Sequence, residues 1–123
     1  MYDPCCRHLI AELYQCNPDL LDDLPFIEKI LVDAALICKT EILEMVFHKY
    51  TPSGVSGVVI INGSHLALHT FPLHGYASLD IVTCGSGVNP NEAYHYITNH
   101  LQANCALVKE LQRGFDELFE MIS

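Results

Sequence analysis

Leu9, Ala11 and Leu13 alternate with His8, Ile10, Glu12 and Tyr14, so Arg7–Gln15 carries the period-two pattern of a strand with one buried face. Asn17-Pro18 then opens a turn or a short helical piece. A longer helix starts near Pro25, where Ile27, Ile30, Leu31, Ala34, Ala35 and Cys38 recur at spacings of three and four. Four strand-like runs follow: Glu41–Thr51, Val55–Asn62, His65–Phe71 and Tyr76–Thr83. Thr51-Pro52-Ser53-Gly54, Pro72 and Gly75 punctuate them. Asn89-Pro90 starts a second helix, with Asn as N-cap and Pro at the first helical position. Its stripe is Ala93, Tyr94, Ile97 and Leu101. Ala106–Leu111 reads as a last strand, and Phe115–Ile122 as an amphipathic tail of undefined state.

The order β-α-β-β-β-β-α-β, with short loops in its middle, predicts antiparallel strands and a two-layer α+β domain with two helices on one sheet face. Residues 1–123 form a single domain, with no repeat or linker. Val55, Val58, Val59, Ile60 and Ile61 are nearly continuous apolar sequence, the mark of a strand covered on both sides. Two sheets packed face to face in a homodimer would cover the second face.

Composition narrows the function. Half of the 123 residues are hydrophobic, which supports a packed core rather than disorder. Six basic against 15 acidic residues give a net charge of −9. That opposes binding to nucleic acid or to an anionic membrane, and suits a cationic small molecule. No apolar run reaches the ~18–20 residues of a membrane span, and the start lacks a basic and apolar leader, so a cytoplasmic location is expected. The six cysteines, which form no Cys-x-x-Cys pair, are then expected to be reduced.

Any one of the histidines, taken alone, reads as a surface or hydrogen-bonded residue. His65 and His69 share a strand face about 13 Å apart and cannot chelate one ion, so no metal is expected. The central block says more. Gly54-Val55-Ser56-Gly57-Val58-Val59, Ser64-His65-Leu66-Ala67-Leu68-His69-Thr70 and Thr83-Cys84-Gly85 occur in order. In these elements the chain resembles the small prokaryotic S-adenosylmethionine decarboxylases, from His8-Leu9 to about Arg113-Gly114.

The resemblance implies a self-processing enzyme that uses a pyruvoyl group in place of pyridoxal phosphate. The cut falls between Gly63 and Ser64, giving a β chain 1–63 and an α chain 64–123. Ser64 Oγ attacks the Gly63 carbonyl, the amide becomes an ester, and loss of the Ser64 α-proton leads to the pyruvoyl group, which holds substrate as a Schiff base. The matching Ser56 would stabilise the oxyanion, His69 would take the α-proton, and Cys84 would return a proton to the product. Gly63 replaces a Glu often found before the cleaved Ser, and a tight turn there would store backbone strain.

The substrate is less constrained. Relatives that use S-adenosylmethionine typically read Trp-Pro-Glu where this chain reads Phe71-Pro72-Leu73. Tyr50 and Phe71 keep the aromatic positions, but Leu73 cannot hold ribose hydroxyls, a loss of about 1.5–3 kcal/mol per charged hydrogen bond. The missing carboxylate tips the expectation toward free L-ornithine or L-arginine, with S-adenosylmethionine as the alternative; either reaction feeds polyamine synthesis. An inactive regulatory homologue is a third reading, opposed by the presence of Ser64, His69 and Cys84. Glu12 is a possible pocket carboxylate, although a solvent-facing strand position explains it as well.

Overall fold

The computed structural model describes residues 5–85 and 88–114. The tail expected at Phe115–Ile122 lies outside them. The elements run β1 (Cys6–Tyr14), α1 (Pro18–Leu21), α2 (Leu24–Ile37), β2 (Ile42–Lys49), β3 (Val55–Ile61), β4 (Ser64–Phe71), a 3₁₀ turn (Pro72–His74), β5 (Tyr76–Cys84), α3 (Pro90–His100) and β6 (Cys105–Arg113). Each expected element is present, with ends shifted by a few residues.

Capping explains where the helices begin. The Asp23 carboxylate accepts from Phe26 N at 3.1 Å, and Asn89 Oδ1 accepts from Asn91 N at 2.9 Å. Such caps are worth about 1 kcal/mol each. Pro25 and Pro90 occupy first-turn positions, where a missing N–H costs nothing.

All six strands form one antiparallel sheet in the order β2-β3-β4-β5-β1-β6. Helices α2 and α3 cover one face. Ile27, Ile30, Leu31 and Ala34 of α2, with Ala93 and Ile97 of α3, pack onto Leu9, Leu13, Leu68, Leu79 and Ile81. Gly57 lies in this layer because a Cβ there would come within 2.5 Å of the Phe47 ring.

The other face is bare in the single chain. Along β3, Val55, Val59 and Ile61 are buried, while Val58 is half-buried and Ile60 is 41% exposed. The strand expected to be covered on both sides is therefore covered on one. Val46, 68% exposed, extends the open apolar surface.

Candidate active site

The β3–β4 hairpin has two chemically distinct ends. At the end away from the hairpin turn, pairing aligns His48, Ser56, His69, Ser78 and Glu12 across five adjacent strands. Ser56 and His69 are direct partners, with Ser56 Oγ 2.6 Å from His69 Nδ1. When Nδ1–H donates to Ser56, Nε2 keeps its lone pair for use as a base.

Beside them a pocket of about 440 Å³ is lined by Tyr50, Ser56, His69, Phe71 and Leu73 among others. Tyr50 and Phe71 are about half exposed, and Leu73 is 85% exposed. Phe71 stacks on Tyr76 with ring centroids 5.4 Å apart, and Tyr76 stacks on Tyr14 at 5.6 Å. Glu12 does not line this pocket. It accepts a hydrogen bond from the Tyr76 hydroxyl behind Phe71, so it supports the aromatic wall. Burial, followed by the bond to Glu12, pushes the Tyr76 phenol up to about 12.

The hairpin turn lies at the other end. Gly63 has φ +82°, which glycine adopts at no steric cost, so the backbone strain expected at the cut is absent. Ser64 Oγ is buried with no hydrogen-bond partner, and so is Thr83 Oγ1. His65 pairs with Val82, and one further step in that register sets Ser64 opposite Thr83. Two orphan hydroxyls, each costing about 1–3 kcal/mol, thus flank the bond expected to break.

Cys84 Sγ lies 3.4 Å from the Gly63 carbonyl oxygen. The expectation of six reduced thiols fails here, because Cys84 is joined to Cys6 in a disulfide. Periodicity gave no hint of it. The two cysteines are 78 residues apart in sequence and meet only because β1 inserts between β5 and β6. Cys6 and Thr83 are the residues sequence reasoning missed. His8 was missed too; its Nε2 lies 2.9 Å from Asp80 Oδ1 on the open face.

One chain does not unite the whole expected set. Ser56 and His69 are together, and so are Gly63, Ser64 and Cys84. The two groups are five residues apart along β4, roughly 16 Å at the usual strand rise. The sequence placed Ser56 and His69 on facing strands but did not reveal this gap.

Similarity to known proteins extends over most of the chain. A family profile described as S-adenosylmethionine decarboxylase matches residues 7–114. The S-adenosylmethionine decarboxylase proenzyme 2 of Halalkalibacterium halodurans is 54% identical over 112 residues, covering 91% of this chain and 88% of that protein. The S-adenosylmethionine decarboxylase proenzyme of Clostridium kluyveri is 46% identical over 116 residues, covering 94% and 92%. The crystal structure of the adenosylmethionine decarboxylase of Aquifex aeolicus superposes with a TM-score of 0.85 at 28% identity, covering 98% of this chain and 99% of that one.

Proposed function

The chain belongs to the S-adenosylmethionine decarboxylase family of pyruvoyl-dependent decarboxylases, and on that premise we propose that it cuts itself between Gly63 and Ser64 and decarboxylates S-adenosylmethionine for polyamine synthesis. The observation that carries this reading is the Ser64 hydroxyl, buried and unpartnered beside a glycine turn. An oxygen held by no other group is available to attack the neighbouring Gly63 carbonyl. A pyruvoyl group formed at Ser64 would supply the electron sink for loss of CO₂.

The chain's own residues do the rest. Ser56 donates to the oxyanion that forms at the cut, and His69, held by Ser56, takes the α-proton. Cys84, as a free thiol, returns a proton to the product carbon. It lies within reach of the Gly63 carbonyl and so of the reacting carbon next to it. Tyr50 and Phe71 offer stacking surfaces for a purine.

The 16 Å gap supports the homodimer. A two-fold axis parallel to the open face and at right angles to the strands would lay the hairpin turn of one copy over the Ser56–His69 end of the other. The apolar residues Val46, Val58 and Ile60 would be covered in the same step. Two αβ protomers then build two sites, each from both copies. The membership and the chain's charge are consistent with a cytoplasmic enzyme that takes a cationic small molecule.

Leu73 favours a second reading, decarboxylation of L-ornithine or L-arginine. It exposes an apolar side chain in the pocket where a carboxylate would be needed for ribose. Relatives at 46–54% identity that carry the S-adenosylmethionine name outweigh this one position. Intact mass and CO₂ release from S-adenosylmethionine, ornithine and arginine in parallel test both readings. Two chains split at Gly63/Ser64 and release from the nucleoside are expected. Release from ornithine or arginine alone would reverse the substrate assignment, and an uncut, inactive chain would make this a regulatory homologue.

A further inference from the structure

We propose that Cys6 and Cys84 are a reversible redox pair, in which Cys6 captures Cys84 as a disulfide and so withdraws the thiol from the reacting end of the site. The inference rests on the reading above in taking Cys84 as the proton-returning group and Gly63–Ser64 as the bond that is cut.

Three observations converge on the pair. Cys6 and Cys84 are direct cross-strand partners with Cα atoms 4.1 Å apart, near the narrow spacing of antiparallel strands, so the thiols meet without movement of the backbone. The bridged sulfur of Cys84 faces the Gly63 carbonyl at 3.4 Å, so the modification lands on the bond to be cut. Of the four other cysteines, only Cys5, the exposed chain neighbour of Cys6, lies close to it in sequence, and the other three are removed from it. Cys16 and Cys38 are buried, which pushes each up to about 11 and holds it as an unreactive thiol. Cys105 pairs with Tyr14, at the opposite end of β1 from Cys6.

A purely structural bridge explains the position poorly. β1 and β5 are already paired residue by residue from Cys6–Cys84 to Leu13–Ala77, so the bond ties together strands that the ladder holds in place. What it changes is the state of one sulfur. Closing needs an external disulfide, either a low-molecular-weight one or that of an oxidoreductase. One protein thiolate attacks it, releasing one external thiol and leaving a mixed disulfide. The second protein thiolate then attacks the protein sulfur, releasing the second external thiol. Two protein S–H bonds and one external S–S bond become one protein S–S bond and two external thiols. A dithiol reductant reverses the sequence.

The experiment equilibrates the full-length wild type and Cys6→Ser with mixtures of oxidised and reduced dithiothreitol. Peptide mass mapping, iodoacetamide labelling and CO₂ release are then read together. In the oxidised wild type, a Cys6–Cys84 peptide, protection of Cys84 from alkylation and at least a tenfold loss of turnover are expected. Added dithiothreitol should restore all three. Cys6→Ser, with Cys6→Ala as a second variant, should keep reduced-state turnover and resist oxidation. Because the expected cut separates Cys6 from Cys84, the oxidised processed protein should also have the mass of one linked species and split into two on reduction.

Linkage through another cysteine, full turnover in the linked form, or equal oxidative loss in the Cys6 variants would overturn the pair. Failure of the function reading looks different, with no cleavage and no turnover even when reduced. In that case alkylation of Cys84, protected only in the oxidised wild type or labelled equally in both states, decides the pairing by itself.

Discussion

The two ends of the β3–β4 hairpin differ in how their polar groups are satisfied. At the pocket end, the Ser56 hydroxyl, His69 and the Glu12–Tyr76 pair all have partners, and aromatic rings stack around them. At the turn, the Ser64 and Thr83 hydroxyls have none, and the Cys84 sulfur is locked to Cys6. A satisfied network holds its groups in fixed positions, which suits binding and proton handling. An unsatisfied hydroxyl is higher in free energy by about the cost of its missing bond, which suits a group that must react. One chain thus carries a positioning end and a reacting end, and the proposed dimer brings unlike ends together.

The largest effect is expected where the reacting end is removed. Ser64→Ala should leave a single uncut chain of 13.8 kDa with no turnover, while its pocket end still binds substrate. Mass spectrometry and equilibrium binding check the two halves of that statement. Co-expression of Ser64→Ala with His69→Ala, each uncut alone, sharpens it. If each site draws on both copies, cleavage reappears in the His69→Ala chain only. Its absence would assign both ends to one chain and break the two-copy picture.

Cys84→Ala should be cut normally yet turn over about 10²–10⁴-fold more slowly, the usual worth of a placed proton donor. Comparing intact mass with the rate of CO₂ release separates the two steps. At the pocket end, Leu73→Glu should lower KM for S-adenosylmethionine about 10–100-fold, matching about 1.5–3 kcal/mol for a charged hydrogen bond. It should not help ornithine or arginine.

Gly63→Ala forces an L-residue into the left-handed backbone at the turn, at a cost of about 1–2 kcal/mol. Strain released at the cut should speed cleavage by up to about tenfold, followed as disappearance of the intact chain over time. The smallest effect belongs to Tyr76. Its folded phenol keeps a proton up to about pH 12, while the unfolded one loses it near pH 10. Its contribution to stability is therefore complete below about pH 10 and is lost as pH rises toward 12. Ultraviolet titration should show a late phenol step that is missing in Tyr76→Phe.

Local pattern was enough for every strand and both long helices, because alternation and the three-four spacing are written in consecutive residues. Ser56 and His69 could be matched because a short turn fixes the register of β3 and β4. What required the structure depended on β1. Nothing in its sequence says that it enters between β5 and β6, yet that choice brings Cys6 to Cys84 and His8 to Asp80. The partnerless Ser64 hydroxyl was likewise invisible, since a missing hydrogen bond is a property of the surroundings and not of the residue.

The strand order also decides what a break in the chain can do. A cut at the Gly63–Ser64 bond would give one piece β1, β2 and β3 and the other β4, β5 and β6. In the sheet these alternate like the fingers of two hands, with β5 and β6 gripping β1, and β4 lying against β3. Three of the five ladders would then run between the pieces, and pulling them apart would mean dismantling the sheet. The protein can therefore lose a peptide bond at its centre and remain one folded body.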